Sequence, residues 1–128
     1  MKTRVEFKSD KFPPYPGEEA DINPGLWGKR LAEYLQERLL LHGFKVTAVG
    51  AEDWGWTVEL ENPEFPLWIG CGHQYDQPHD FLCFIEPSRP FVRRWFKKIA
   101  TGAQVNQVAE ALRQILEADP DIHDLRWS

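Results

Sequence analysis

Apolar residues recur along this chain with two distinct periods, and the switches between them divide it into elements. Residues 4–8 alternate, with Val5 and Phe7 on one face and Arg4, Glu6 and Lys8 on the other, the pattern of a short half-buried strand. Between Asn23 and His42 the spacing becomes three and four. Trp27, Leu31, Tyr34, Leu35 and Leu39 form one stripe there, which predicts an amphipathic helix packed on a core. Asn23-Pro24 supplies a cap followed by proline at the first helical position, and Gly43 stands where a left-handed C-terminal cap belongs.

Period two then returns. Phe44, Val46 and Ala48 mark one strand. After a turn around Gly50 to Asp53, Trp54, Trp56, Val58 and Leu60 alternate with Gly55, Thr57, Glu59 and Glu61, which predicts a strand with both tryptophans on its buried face. Two further strands are expected at 67–72 and 81–86. Both are apolar on both faces (Leu67, Ile69 and Cys71 against Trp68; Phe81, Cys83 and Ile85 against Leu82 and Phe84), so they should lie centrally in the sheet. Ser88-Arg89-Pro90 repeats the cap-then-proline signal. Phe91, Val92, Trp95, Phe96 and Ile99 follow at helical spacing, predicting a short helix that ends near Thr101-Gly102. A last helix carries Val105, Val108, Ala109, Leu112, Ile115 and Leu116, stopped by Asp119-Pro120. Ile122, Leu125 and Trp127 form an apolar tail suited to an edge strand.

The order β-α-β-β-β-β-α-α-tail predicts a single α+β domain over residues 1–128: a mainly antiparallel sheet of four or five strands, with about three helices packed largely on one face. Hairpin-length links between the middle strands argue against a doubly wound parallel sheet. Residues 9–22, with Pro13, Pro14 and Pro16 ahead of Glu18, Glu19 and Asp21, read as a Pro-rich acidic arm crossing the surface.

Composition adds one unusual feature. Aromatic residues make up 13% of the chain, with eight Phe, six Trp and three Tyr, so a few large rings supply much of the core area. No apolar run approaches the roughly 20 residues a membrane helix needs, and the first ten residues lack the apolar stretch of a signal peptide. A soluble cytoplasmic protein with no membrane partner is expected. The net charge of −5 disfavours general nucleic-acid binding, which needs a basic surface. Cys71 and Cys83 are expected as buried thiols rather than a disulfide framework.

Candidate chemistry gathers where the strands carry glycine. Gly55 lies between two tryptophans, and Gly70 and Gly72 flank Cys71 beside Trp68. Glycine inside a strand marks a bulge or a close approach. If the glycine faces align, they leave a shallow groove for a partner, and Trp is a favoured interface anchor. Cys71, His73 and His79, with Asp76 and Asp80, are weak metal candidates, since zinc accepts these ligand types. Their spacing matches no standard signature, so no metal or cofactor is expected. Cys71 and His73 also suggest a Cys–His hydrolase, although a strand end lacks the helix dipole that activates most catalytic thiols. No phosphate-binding glycine loop, Gly-x-Ser-x-Gly or His-Glu-x-x-His occurs. Arg89, Arg93, Arg94, Lys97 and Lys98 form a basic cluster with no acid from Ser88 to Thr101. On a helix this is a solvated outer face or a docking face for an acidic partner, one that Glu18, Glu19 and Asp21 are placed to cover.

The motifs match no characterised family; as a small acidic α+β domain rich in Trp and without a catalytic constellation, the chain resembles, in style only, bacterial uncharacterised domains or toxin-neutralising immunity proteins. That likeness carries over no residue. The expected function is a non-enzymatic binding or regulatory domain, immunity- or adaptor-like, engaging a protein partner through Trp68, the glycine face or the basic cluster. A small hydrolase or metal-dependent enzyme centred on residues 71–80 is the alternative.

Overall fold

The computed structural model describes residues 2–74 and 77–128. Its elements run in the order β1 (Arg4–Lys8), α1 (Glu18–Asp21), α2 (Lys29–Leu41), β2 (Val46–Glu52), β3 (Gly55–Leu60), β4 (Leu67–His73), β5 (Asp80–Glu86), β6 (Phe91–Arg94), β7 (Lys97–Ala100), α3 (Gly102–Glu117) and β8 (His123–Trp127). Six strands form one antiparallel sheet in the order β2-β3-β4-β5-β1-β8, and β6 and β7 form a separate two-stranded sheet. The fold is α+β, as the two periods predict. The strands apolar on both faces, β4 and β5, hold the centre of the sheet.

Alternation sorts the strand residues onto two faces. Val5 and Phe7, Val58 and Leu60, Leu67, Ile69 and Cys71, and Phe81, Cys83 and Ile85 are all buried. They meet Leu31, Leu35 and Leu39 of α2 and Val105, Val108, Leu112 and Leu116 of α3, so both long helices lie on one side of the sheet. The tail forms β8, pairing with β1, and Leu125 and Trp127 dock against the core.

The end of α2 follows its sequence signal. Gly43 adopts a φ of 85°, the Gly43 amide donates to the carbonyl of Leu40 at 3.1 Å and the Phe44 amide to that of Leu39 at 2.9 Å. This pair of bonds is a Schellman cap, and the left-handed position is why glycine stands there. The start differs from expectation. Asn23–Leu26 is a tight turn, the Asn23 side chain donates to the Asp53 carbonyl at 2.7 Å, and the helix begins only at Lys29. Glu18 takes over the capping. Its carboxylate accepts from the amides of Gly28 and Lys29 at 2.8 and 2.9 Å, from Trp56 Nε1 at 3.0 Å and from the Tyr15 amide at 3.0 Å. An anion at the N-terminus of a helix is favoured by the free amides and the dipole together.

The arm runs along the surface, with most of residues 9–22 exposed, and is anchored to the body at Ser9, Phe12, Glu18 and Ile22, which are buried. Phe12 is 2% exposed and meets Phe7, Tyr34 and Phe81 edge-on, while Glu18 is spent on α2 and Glu19 on the Gly25 amide. Neither covers the basic cluster.

That cluster is not helical. Residues 91–100 form the β6–β7 hairpin, registered Phe91↔Ala100, Val92↔Ile99, Arg93↔Lys98 and Arg94↔Lys97. Short apolar runs fit both periods, and only length and context separate them. A helix this short is marginal by itself. Here the ends are clamped together, with the Thr101 amide donating to Pro90 at 3.0 Å and the Thr101 hydroxyl to Arg89 at 2.6 Å. Val92 and Ile99 pack on the core as a cross-strand pair, which leaves Trp95 and Phe96 at the turn.

Candidate functional site

The face of the sheet away from α2 and α3 carries Thr57 and Glu59 of β3, Trp68, Gly70 and Gly72 of β4, Leu82 and Phe84 of β5, Glu6 of β1 and Arg126 of β8, by alternation along each strand. Register explains what happens at its centre. Gly70 lies opposite Phe84, and a methyl group on Gly70 would stand 2.3 Å from Phe84 Cζ. The phenyl ring thus lies flat over the glycine and occupies the space a side chain would need. Trp68 meets Phe84 edge-on at 5.6 Å, Trp54 lies 5.1 Å from Phe84, and Trp54 and Trp68 stack at 6.3 Å. These three half-buried rings form one aromatic patch.

Trp54 reaches this patch because it is not a strand residue. Asp53-Trp54 is the turn joining Glu52 to its partner Gly55, so the alternation begins only at Gly55. Trp56 points to the helices and Trp54 to the open face, correcting the expectation that the two share a side. Gly55 is required by close approach: a Cβ there would lie 2.3 Å from the Cys71 carbonyl oxygen. Gly72 is under no such pressure, since a Cβ would find nothing nearer than the Trp54 carbonyl oxygen at 3.7 Å.

The glycine groove expected from the sequence is thus occupied at Gly70 by the protein's own Phe84. Beside the patch a hollow of about 440 Å³ remains, lined by Trp54, Gly72, Leu82, Phe84, Leu26 and His73 and by the polar groups of Arg4, Glu6, Gln74, Asp80 and Arg126. Arg4 and Arg126 approach Glu6 at 3.6 and 3.8 Å. Such exposed pairs hold weakly, so these groups are free to re-pair with a ligand. Aromatic walls with a few charges suit an apolar or aromatic group.

Cys71 and His73 lie on the helix-facing side of β4. Cys71 is fully buried opposite Cys83, and both thiols are free. Burial, reinforced by the neighbouring Cys83 thiol, holds the Cys71 pKa well above its ordinary value, so the thiolate a nucleophile needs is suppressed. His73 is stacked under Trp27, with ring centroids 3.6 Å apart, and meets Phe81 edge-on. Burial lowers its pKa against the smaller opposing pull of the Gln77 and Gly25 carbonyls. Neither carbonyl reaches hydrogen-bonding geometry, and the ring nitrogens have no partner among the described residues. His79 is apart from both, exposed and 2.8 Å from Asp10. Asp76 lies outside the described residues, among which no cluster of three or more His, Cys, Asp or Glu could hold a metal ion.

Trp68, Gly70 and Gly72 are therefore brought together on the open face, with Gly55 at its edge. Cys71 lies behind them, and Arg93, Arg94 and Lys97 stand on the separate hairpin. Periodicity did not reveal Trp54, Phe84 or the Arg4–Glu6–Arg126 group. An aromatic paired across a glycine is the signal that finds Phe84, but it is readable only once the register is known. Comparison with family models, curated proteins and solved structures finds no match. No helix among the described residues is long and apolar enough to cross a membrane.

Proposed function

We propose that this domain is a non-enzymatic binding module, adaptor- or immunity-like, that engages a protein partner on the open face of its sheet. The observation that carries this reading is the Trp54–Trp68–Phe84 patch. Three large rings pack on one another on the side of the sheet away from α2 and α3. Clustered tryptophans beside polar groups are the composition of interface hot spots, and each of the three rings keeps part of its surface open. Arg4, Glu6 and Arg126 supply charges of both signs that can set the orientation of a partner.

Affinity capture with the wild-type chain and with Trp68→Ala/Phe84→Ala tests this reading. A partner retained by the first and lost by the second is expected. A partner held equally by both would remove the sheet face from consideration. The alternative, a small hydrolase using Cys71 and His73, is disfavoured by the raised pKa of a thiol buried against Cys83. Rapid modification of Cys71 in the native protein at neutral pH would revive it.

A further inference from the structure

The β6–β7 hairpin ends in the turn Trp95-Phe96, two residues that are 88% and 99% exposed. Val92 and Ile99 on the same hairpin reach the core, so apolar residues are not exposed here for want of a core. A two-residue hairpin turn needs positive φ, a position usually given to Gly or Asn. Trp95 takes it at a φ of 60°, an unfavourable conformation for a bulky residue. Strain held without packing in return is a mark of functional sites.

Charge is arranged around this tip. Arg94 pairs with Lys97 and Arg93 with Lys98 across the hairpin. At a strand rise of about 3.3 Å per residue, the Cα atoms of all four basic residues stand within about 7 Å of the turn, and Lys98 Nζ lies over the Phe91 ring, 4.1 Å from its centroid. Without these four positive charges the net charge of −5 becomes −9, so an anionic surface attracts the hairpin and repels the rest of the chain. Arg94 donates to the Pro63 carbonyl at 2.6 Å, tying the hairpin to the body of the domain.

We propose that this hairpin docks the protein on the surface of an anionic lipid bilayer. Trp95 and Phe96 enter the interface while Arg93, Lys97 and Lys98 meet the head groups. Interfacial segments bury their apolar side by about 5–10 Å, a depth comparable with the roughly 7 Å of backbone between the turn and the Cα atoms of the basic residues. Aromatic rings settle at that depth, and juxtamembrane cations are drawn to anionic leaflets. A convex tip with both residues almost wholly exposed suits a deformable medium. A protein acceptor would need a pocket of matching depth, whereas the flatter patch on the sheet suits a preformed partner surface. The hairpin proposal is independent of the sheet-face reading.

The test is co-sedimentation of the full chain with phosphatidylcholine vesicles, with and without phosphatidylserine. Wild type is compared with Trp95→Ala/Phe96→Ala and with Arg93→Glu/Lys97→Glu/Lys98→Glu, after circular dichroism has shown each to be folded. Binding is expected only with phosphatidylserine and should weaken as salt is added. It should fall about fivefold or more for each cation lost, and at least about tenfold in the tip variant. Should the tip variant misfold, quenching of wild-type fluorescence by brominated lipid, with Trp95→Phe as the blank, reads insertion directly. Absence of binding to phosphatidylserine vesicles, or binding that either variant retains, would overturn the proposal. So would capture by poly-glutamate that matches the vesicles and ignores the tip, since that assigns the cations to an acidic protein.

Discussion

Replacing Gly70 with alanine should destabilise the protein, and removing the Phe84 ring should reverse the sign of that effect. In the native sheet the new methyl would meet Phe84 Cζ at 2.3 Å and Cε1 at 2.4 Å, against an optimum of about 3.5–4.0 Å between carbons. The ring must withdraw by more than 1 Å, and leaving its place between Trp54 and Trp68 costs contacts with both. Overpacking of this kind costs about 1–3 kcal/mol. Replacing a strand glycine by alanine returns about 0.5–1 kcal/mol through backbone entropy. A net loss of about 1 kcal/mol is expected in the wild-type background. With Phe84→Ala already in place the clash is gone, and only the gain of about 0.5–1 kcal/mol remains. The coupling energy of the double-mutant cycle is then the steric contribution itself, about 1–3 kcal/mol. Urea unfolding followed by far-ultraviolet circular dichroism measures all four proteins without relying on tryptophan emission. Near-ultraviolet dichroism should also change in Gly70→Ala as Trp54 and Trp68 lose their neighbour. An equal cost for Gly70→Ala in both backgrounds would show that Phe84 does not lie over Gly70, and the aromatic patch would have to be abandoned.

Four other outcomes follow from the packing. Asp119 accepts from Lys11 Nζ at 2.6 Å, the Tyr34 hydroxyl at 2.5 Å and the Asp121 amide at 2.9 Å. Burial alone would raise its pKa, but these bonds and the Lys11 charge outweigh burial and bring it from 3.8 to about 2. Because the unfolded chain binds that proton more readily, the contribution is present above about pH 4 and lost as pH falls towards 2. The full shift corresponds to about 2.4 kcal/mol, and solvent screening at the partly exposed Lys11 reduces it to about 1–2 kcal/mol. Asp119→Asn should flatten the acid limb of stability against pH, and an unchanged limb would exclude this residue as its source. Glu18→Ala leaves the Gly28 and Lys29 amides and Trp56 Nε1 without their acceptor and should cost about 3 kcal/mol or more in urea unfolding. A cost below about 1 kcal/mol would mean that water replaces the carboxylate. Cys71 and Cys83 should resist thiol reagents in native buffer and react on unfolding; prompt native labelling would contradict their burial. Trp95→Gly should raise stability by about 1 kcal/mol, because glycine adopts positive φ without strain, and a lower melting temperature would count against that backbone geometry.

Much of the fold was legible along the chain. Strand β1, the stripe of α2 with its Gly43 cap, the central placing of β4 and β5, α3 and the edge-strand tail all follow from local periodicity, because burial on one face imprints the period of the element on the sequence. What depended on contacts between distant residues was not legible. Residues 91–100 satisfy both periods, and the clamp between Thr101 and Arg89–Pro90 decides for a hairpin, turning Trp95 and Phe96 from expected core residues into an exposed tip. The true start of α2 waits on Glu18, a residue whose role exists only once the arm has folded back. Glycine at 55 and 70 announced close approach, but only register and packing show what approaches: the Cys71 carbonyl in one case and the Phe84 ring in the other. Local sequence determined which elements form and which faces they bury. Tertiary structure decided which side chains those faces leave at the surface, because that depends on partners brought together from far apart in the chain.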